Sequence, residues 1–446
     1  MARYILELYF DPLLEISSRR HAVGLIEAMV VVSLLACSVA APGWRRISEF
    51  ALPNAAVASI APVFPGIRGP ALLVTTFAPF SKDGIYFVSA EELLRPNATV
   101  TVHTLSMDVS WPNQASMLPT RVAAGLGIGA GVLSAGGFFP NPAKATGHVK
   151  LHNVSGCTHA GCPDEPAIQL STDKTAYFYH HAEFLLGDGP PAVLAARAYF
   201  PTLPWKHAAG ELVLLEPSGG GSWTETVLIP TPGPDVAFMQ LDLDGDGRVQ
   251  IVAAQFFSGK QLSLWWCTAA SWHGCKGGAN VSSRIIDADE HAGYFNVEWV
   301  DLDGDGRKEI LTTTNENNEK GSVLAFAPPA DWRTGTWTKH RLATGWTCTR
   351  PYLPGRGAPG TAVSFHMHPS DTKPSILVSG DDAGVYDVLQ PSSNAAGNWT
   401  YAQHRLVTST GTVGTPAVAD IDGDGRVEAF LPLFAEGKVA TYAWYS

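Results

Sequence analysis

The chain has 446 residues, of which 16% are charged and 46% are hydrophobic, and its formal net charge is −11. These proportions exclude an intrinsically disordered chain, and the acidic balance argues against a protein that binds nucleic acid. The 44 glycines and 32 prolines exceed the roughly 7% and 5% of average proteins, which predicts many turns and many short strands.

The first 41 residues are predicted to be a targeting segment. Residues 22–41 read AVGLIEAMVVVSLLACSVAA and follow two arginines. A basic flank, an apolar run and small residues at its end are typical of a secretory signal peptide, here cut after Ala40. Because Glu27 interrupts the run and a long stretch precedes it, an uncleaved signal anchor and a buried core helix stay as alternatives.

Two further features agree with a secreted, extracellular protein. Four N-x-S/T sequons are candidate glycosylation sites, at Asn97, Asn153, Asn280 and Asn398. Local disulfides are expected within two closely spaced cysteine pairs, Cys157 with Cys162 and Cys267 with Cys275, which leaves Cys348 over. A zinc site of four thiolates fits less well, because neither pair has the two-residue spacing usual for zinc.

From residue 42 to residue 446 the chain is predicted to be one repeated domain. A glycine followed by alternating apolar residues recurs at intervals of 49 to 63 residues, and a fully apolar run precedes each copy. The seven copies begin at Gly84, Gly147, Gly210, Gly259, Gly321, Gly384 and Gly437. The alternation predicts half-buried strands, and the apolar runs predict strands that are buried on both faces.

The repeat predicts an all-β fold, a seven-bladed β-propeller with four-stranded blades. An array of β-sandwiches would need about 100 residues for each core, which is longer than the interval observed. The stretch GWRRISEF, from Gly43 to Phe50, resembles the outer strand that is missing after the last copy. We therefore expect this N-terminal strand to close the ring and remove a free sheet edge.

Three copies carry a near-identical acidic loop before the apolar run. The loops read DLDGDGRVQI from Asp242, DLDGDGRKEI from Asp301 and DIDGDGRVEAF from Asp420. Carboxylates at alternate positions in a glycine-rich turn can converge on one cation, and several hard oxygen ligands favour calcium. An EF-hand is excluded, because its loop needs a bidentate glutamate at position twelve and none of the three loops has one.

Each loop is predicted to hold one calcium ion in a structural role, which gives about three sites. The predicted ligands are Asp242, Asp244, Asp246, the Arg248 carbonyl and Gln250; Asp301, Asp303, Asp305, the Arg307 carbonyl and Glu309; and Asp420, Asp422, Asp424, the Arg426 carbonyl and Glu428. Because Gln250 brings no charge, the first site is expected to be the weakest.

An acidic loop of this pattern within a seven-fold repeat resembles the FG-GAP/VCBS propeller family, which includes the head of the integrin α-subunit. The resemblance covers about residues 43–446. It implies a propeller with calcium in blade loops, on the face away from most ligand sites, and it implies no particular activity. Four blades depart from the pattern; two of them keep one acid each, Asp188 and Asp371, so calcium is not expected in those four.

The start of each innermost strand is expected to line the central channel. Candidate catalytic or zinc-binding side chains there are His181, Glu183, His291, Glu298, His366 and His368. Imidazoles and carboxylates that converge on one channel can bind zinc or perform acid–base chemistry. The alternative is that they are hydrogen-bonded residues of the channel rim.

Two functions fit these predictions. The first is a secreted, calcium-binding recognition module for a glycan or an extracellular protein. The second is a carbohydrate lyase or dehydratase similar to fungal aldos-2-ulose dehydratase, in which such a propeller is joined to further domains. No nucleic-acid partner is expected, and membrane contact is expected only if the N-terminal segment stays uncleaved as an anchor.

Overall fold

The computed structural model describes residues 43–445 except 79–80, 96–98, 138–145, 173, 176, 188, 200–208, 291, 318–320 and 350–355. The described residues form seven antiparallel sheets, the blades of a β-propeller, so the predicted fold is confirmed. The predicted targeting segment lies outside the described residues. Within the described part of the chain, no helix is long and apolar enough to cross a membrane.

In blades 1 to 6 the strands follow one another along the chain from the channel outwards. In blade 2 the outer position is shared by two short strands that both pair with β8. Blades 1 to 3 contain β2 (Ala55–Ala61), β3 (Ala71–Thr76), β4 (Ile85–Ser89) and β5 (His103–Ser106); β6 (Gln114–Met117), β7 (Gly131–Gly136), β8 (Thr146–Asn153), β9 (Ile168–Gln169) and β10 (Lys174–Thr175); and β11 (Tyr177–Phe184), β12 (Val193–Tyr199), β13 (Ala209–Gly219) and β14 (Ser222–Ile229).

The remaining four blades have four strands each, and the last of them takes its outer strand from the start of the domain. Blades 4 to 7 contain β15 (Ala237–Leu241), β16 (Gln250–Gln255), β17 (Gln261–Cys267) and β18 (Val281–Asp287); β19 (Gly293–Val300), β20 (Glu309–Asn315), β21 (Ser322–Ala327) and β22 (Thr338–Thr344); β23 (Ala362–Phe365), β24 (Ser375–Ser379), β25 (Val385–Pro391) and β26 (Tyr401–Thr408); and β27 (Ala417–Ala419), β28 (Glu428–Leu433), β29 (Lys438–Trp444) and β1 (Trp44–Ala51). Short helices are Ala90–Leu93, Thr120–Gly125, Trp272–Gly274, Lys276–Gly278, Asp381–Ala383 and Phe434–Glu436.

The ring is closed by β1, as predicted. This strand pairs antiparallel with β29, from Trp44 opposite Trp444 to Ala51 opposite Lys438. The seam between blades 7 and 1 is also tied by backbone hydrogen bonds, because the Thr415 N–H donates to the carbonyl of Ala56 at 2.8 Å. Pairing of the two ends of the domain leaves β29 without an exposed edge.

The hydrophobic core consists of seven layers among the described residues, and each layer lies between two neighbouring blades. Successive side chains of a strand point to opposite faces of its sheet, so one strand contributes to two layers. Leu72 packs between blades 7 and 1, whereas its neighbour Leu73 packs between blades 1 and 2. This is why the second strand of each repeat is apolar at nearly every position.

Polar side chains tie the innermost strands of neighbouring blades together around the channel. The Gln114 side chain of blade 2 accepts a hydrogen bond from the Ala182 N–H at 2.7 Å and donates one to the Ala182 carbonyl at 3.0 Å. Asn296 of blade 5 makes the same pair of bonds with Ala362 of blade 6, at 3.3 and 2.9 Å. These amides satisfy backbone groups that have no strand partner on the channel side.

Candidate functional site

The two ends of the innermost strands carry different chemistry. Their starts surround a central cavity of about 630 Å³. The three acidic loops follow the ends of the innermost strands, where they join β15 to β16, β19 to β20 and β27 to β28. The acidic loops and the cavity are therefore separate candidate sites at opposite ends of the same strands.

In the second and third acidic loops the carboxylates converge. In each loop, oxygens of two aspartates and of the glutamate lie within 4.8 Å of one another. The converging residues are Asp301, Asp303 and Glu309, and Asp420, Asp422 and Glu428. All six are predicted ligands, and a set composed only of oxygen donors suits calcium better than zinc or copper.

The first aspartate of each loop holds the backbone of the turn. Asp301 accepts hydrogen bonds from the Gly304 N–H at 2.8 Å and from the Gly306 N–H at 2.9 Å. Both glycines have left-handed backbones, with φ of 73° and 87°, which side-chain-bearing residues rarely adopt. Asp420 accepts two corresponding bonds at 2.8 and 2.9 Å. The glycines of the motif are thus required for the turn that brings the acids together.

Burial and the neighbouring acids disfavour the ionised form of the glutamate in each converging set. Glu309 and Glu428 are 2% and 3% exposed. Burial, together with the neighbouring aspartates, raises the pKa of Glu309 to about 8 and that of Glu428 to about 7. A bound divalent cation would supply the opposite charge and favour the ionised carboxylates.

The first acidic loop is arranged differently. Arg333 forms a bidentate ion pair with Asp244, at 2.6 and 3.3 Å, and the Trp332 indole N–H donates to the same carboxylate at 2.7 Å. The hydrogen bond from Arg333 lowers the pKa of Asp244. The Gln250 amide donates to the Arg248 carbonyl at 2.8 Å, so two predicted ligands bond to each other. In this loop a guanidinium therefore already neutralises the carboxylate of Asp244.

Arg333→Gln should strengthen calcium binding at the first loop, because it removes the cation that competes for Asp244. We expect calorimetric titration at low ionic strength to give two strong sites in the wild type, and a third, weaker site to gain affinity in the variant. Arg68 is exposed, and Arg68→Gln is the matched control, which should change neither the number of calcium sites nor their affinity. Three equivalent strong sites in the wild type would contradict this expectation.

One wall of the central cavity is aromatic. The rings of Phe256, Phe257 and Phe295 come from blades 4 and 5, and that of His180 comes from blade 3. Phe256 packs edge-to-face on Phe257 and on Phe295, with ring centroids 4.7 and 5.7 Å apart, and His180 packs on Phe295 at 5.9 Å. Burial lowers the pKa of His180 to about 3, so this ring is neutral at physiological pH. A further stacked pair, Phe77 on Trp111, extends the apolar lining.

Three predicted acid–base candidates line the cavity but are engaged by protein groups. His181 Nε2 lies 3.0 Å from Glu183 Oε1, and Gln240 donates to Glu183 Oε2 at 3.1 Å. Glu298 accepts a hydrogen bond from the Ser364 N–H at 2.9 Å and another from the Ser364 hydroxyl. Glu183 and Glu298 thus connect neighbouring blades, which is the rim role that the sequence left open as an alternative.

The other wall of the cavity is acidic. Asp382 accepts hydrogen bonds from the Arg356 guanidinium and, at 2.6 Å, from the Thr412 hydroxyl. Asp381 accepts a longer bond from the Asn315 amide at 3.3 Å. Burial raises the pKa of the Asp381 carboxyl well above its usual range, with the neighbouring Asp382 as the second cause. Asp381 also has a left-handed backbone, with φ of 50°, which is uncommon for a residue other than glycine.

The structure corrects the placement of two predicted channel residues. His366 and His368 do not join His181 in the central cavity. His366 lies in a smaller pocket with Asp420, at the face of the acidic loops, and His368 packs edge-to-face on Trp444. The physical reason is that β23 ends at Phe365, so both histidines follow the strand instead of starting it.

The cavity offers no complete zinc site among the residues that the structure describes. Within that part of the chain, groups of three acidic, histidine or cysteine ligands within 4.8 Å occur in the second and third acidic loops. A protein zinc site usually takes at least three protein ligands. His291 lies outside the described residues, so zinc in the channel stays a prediction.

Residues 242–312 match the family model of the FG-GAP-like repeat. This range contains the first two acidic loops, strands β16 to β19 and the first part of β20. The chain carries an FG-GAP repeat within its propeller. The resemblance to this family is therefore confirmed for a range that reaches from blade 4 into blade 5.

The propeller is also similar in shape to several solved structures, and no curated protein sequence matches it significantly. A protein of unknown function from Dyadobacter fermentans DSM 18053 is 12% identical, with 91% of this chain and 100% of that chain covered and a TM-score of 0.40. The intramolecular trans-sialidase from Ruminococcus gnavus, in complex with oseltamivir carboxylate, is 11% identical, with 90% and 96% covered and a TM-score of 0.37. A putative oxidoreductase (glucose dehydrogenase) from Thermus thermophilus is 12% identical, with 75% and 97% covered and a TM-score of 0.34. None of these likenesses bears on the function of this chain.

The propeller has two disulfides, as the cysteine spacing predicts. They join Cys157 to Cys162 and Cys267 to Cys275, and Cys348 is a buried thiol. Asn153 and Asn280 are exposed, as glycan acceptors must be, and Asn398 is half-buried. The fourth sequon, at Asn97, lies outside the described residues.

Sequence reasoning missed the residues that shape the cavity, although the repeat contains a signal for them. Residues at or just after the end of the second strand of a blade line the cavity in five blades. They are Phe77, Phe256, Asn315, Asp381 and Phe434. Equivalent positions in a propeller lie at equivalent distances from the axis, so aligning the ends of the apolar runs would have identified this set.

Proposed function

We propose that this chain is a secreted, calcium-stabilised recognition propeller that binds part of a glycan or of an extracellular protein in its central cavity. The observation that carries the proposal is the cavity of about 630 Å³, with its aromatic wall and its acidic wall. Its volume and lining fit the range of sites that bind small molecules or small groups of larger ligands.

The acidic loops have a separate role in this proposal. They lie at the opposite ends of the innermost strands, so an ion there does not contact a ligand in the cavity. Calcium in the second and third loops fixes the turns between the first two strands of blades 5 and 7. Two disulfides and two exposed sequons support an extracellular location.

The geometry favours binding over sugar lysis. A lyase needs an acid and a base that are available to the substrate. Glu183 is held by His181 and Gln240, and Glu298 is held by Ser364. The further histidines that the lyase interpretation relied on, His366 and His368, lie away from the cavity.

A matched pair of variants tests the cavity as the ligand site. Val363 is half-buried and lines the cavity, and Val363→Trp should fill part of it. Val63 is 75% exposed outside the cavity, so Val63→Trp is the control. Glycan arrays and arrays of extracellular protein domains should give wild-type signals that Val363→Trp removes and Val63→Trp keeps. Signals that survive Val363→Trp in a folded protein would place recognition elsewhere.

A further inference from the structure

The carboxyl groups that line the central cavity outnumber the cations. The acids are Glu183, Glu298, Asp381 and Asp382, and the lining contains one arginine, Arg356. Arg356 bonds to Asp382 and to the Thr412 hydroxyl. The lining of the cavity therefore has more acidic than basic side chains to offer to a ligand.

Asp381 differs from the other three acids in its partners. Glu183, Glu298 and Asp382 each accept hydrogen bonds on both oxygens. Among the described residues, Asp381 accepts the 3.3 Å bond from Asn315 on one oxygen and takes part in no ion pair. The four other cavity-lining residues at the ends of second strands are neutral. Asp381 is thus the one acid among these five positions. A carboxyl group at this place in the cavity suits a ligand group that pairs with a carboxylate.

The aromatic wall indicates a second property of the ligand, an apolar part that packs against rings. Phe256, Phe257 and Phe295 are half-buried, so part of each ring borders the cavity. Aromatic faces attract organic cations and pack against aliphatic carbon chains, and carboxylates pair with ammonium groups. A lysine side chain combines an aliphatic stem and an ammonium head, whereas a sugar amine has hydroxyl groups on most of its carbons.

We propose that the central cavity binds a basic side chain of a protein ligand, with its ammonium group at Asp381 and its aliphatic stem on the aromatic wall. This inference rests on the proposed function in one respect, because both take the central cavity as the ligand site. We favour a protein ligand over a glycan, because most of the exposed lining of the cavity is apolar.

The test uses two probes that differ in charge. Nα-acetyl-lysine N-methylamide carries the ammonium group, and Nα-acetyl-norleucine N-methylamide has a similar aliphatic side chain without it. In saturation-transfer NMR titrations of the wild-type propeller, the lysine probe should bind at least tenfold more tightly. Asp381→Asn should remove that preference, whereas Asp289→Asn, at a side chain that is 87% exposed, should keep it.

A second variant separates the two walls. Phe295→Leu keeps an apolar side chain but removes the ring, so it should weaken the lysine probe more than the norleucine probe. Glucosamine, compared with glucose, serves as the glycan probe. Binding of glucosamine that depends on Asp381, without binding of the lysine probe, would overturn the choice of a protein ligand.

The remaining outcomes distinguish this inference from the proposed function. Equal affinities for the lysine and norleucine probes would overturn the preference for a cation and leave the cavity as a ligand site. No binding of the lysine probe at tens of millimolar would also overturn it. The array experiment with Val363→Trp would then still decide whether the cavity recognises another ligand.

Discussion

Asp303→Asn in the second acidic loop is expected to destabilise the propeller in calcium and to leave it as stable as the wild type, or more stable, in a chelator. Asp303 is 5% exposed and lies beside Asp301 and Glu309. Burial, with Asp305 and Asp301 as further causes, raises the pKa of Asp303. Without a cation, an amide relieves repulsion that the carboxylate suffers; with calcium, the amide removes a charged ligand.

The expected shift of the melting temperature follows from the linkage between calcium binding and folding. A cation at 100 times its dissociation constant stabilises the folded state by about 2.7 kcal/mol, and a stabilisation of 1 kcal/mol shifts the melting temperature of a large domain by about 2–4 °C or less. Thermal unfolding followed by circular dichroism, in millimolar calcium and in EDTA, measures both states. The melting temperature of the wild type should be several degrees lower in EDTA than in calcium. For Asp303→Asn the difference between the two conditions should be much smaller.

A matched substitution in the first loop is the control. Asp246→Asn changes the same residue type in a loop where Arg333 already neutralises Asp244. Its melting temperature should depend on calcium as that of the wild type does. A wild-type protein that melts at the same temperature with and without calcium would show that the second and third loops are not calcium sites.

The fold could be predicted from the sequence because its repeating unit is local. The second strand of each blade packs on both faces, and a glycine lies just before the third strand or at its second residue, so every copy shows the same pattern. Even ring closure was predictable, since Trp44 and Phe50 give β1 the apolar positions of an outer strand.

The site was less predictable, because its decisive contacts join residues that are far apart in the sequence. Arg333 follows Asp244 by 89 residues, and no motif connects them. The placement of His366 failed for a simpler reason. Alternation predicts which face of a strand a residue occupies, but it does not predict where a strand as short as β23 ends. Asp381 escaped notice because it looks like an ordinary turn residue.

Removal of residues 1–51 is expected to prevent the propeller from forming a stable ring, whereas removal of residues 1–42 should leave its stability unchanged. The longer truncation deletes β1, including Trp44 and Phe50, which are 3% and 6% exposed. Loss of one buried tryptophan costs about 3–5 kcal/mol, and whole domains are stable by only about 5–15 kcal/mol. The truncation also exposes the edge of β29, which favours aggregation.

Two measurements keep this prediction testable if the truncated protein does not fold. Trp44→Ala removes the ring that packs edge-to-face on Phe365, with centroids 5.9 Å apart, and should lower the free energy of unfolding in urea by about 3–5 kcal/mol. Arg45→Ala, at an exposed position of the same strand, is the control.

In addition, a synthetic peptide of residues 43–51 should restore the melting temperature of the truncated protein in a concentration-dependent way, because it can add to β29 as a strand. A truncated protein that unfolds like the wild type, with no response to the peptide, would mean that the other strands hold the ring closed without β1.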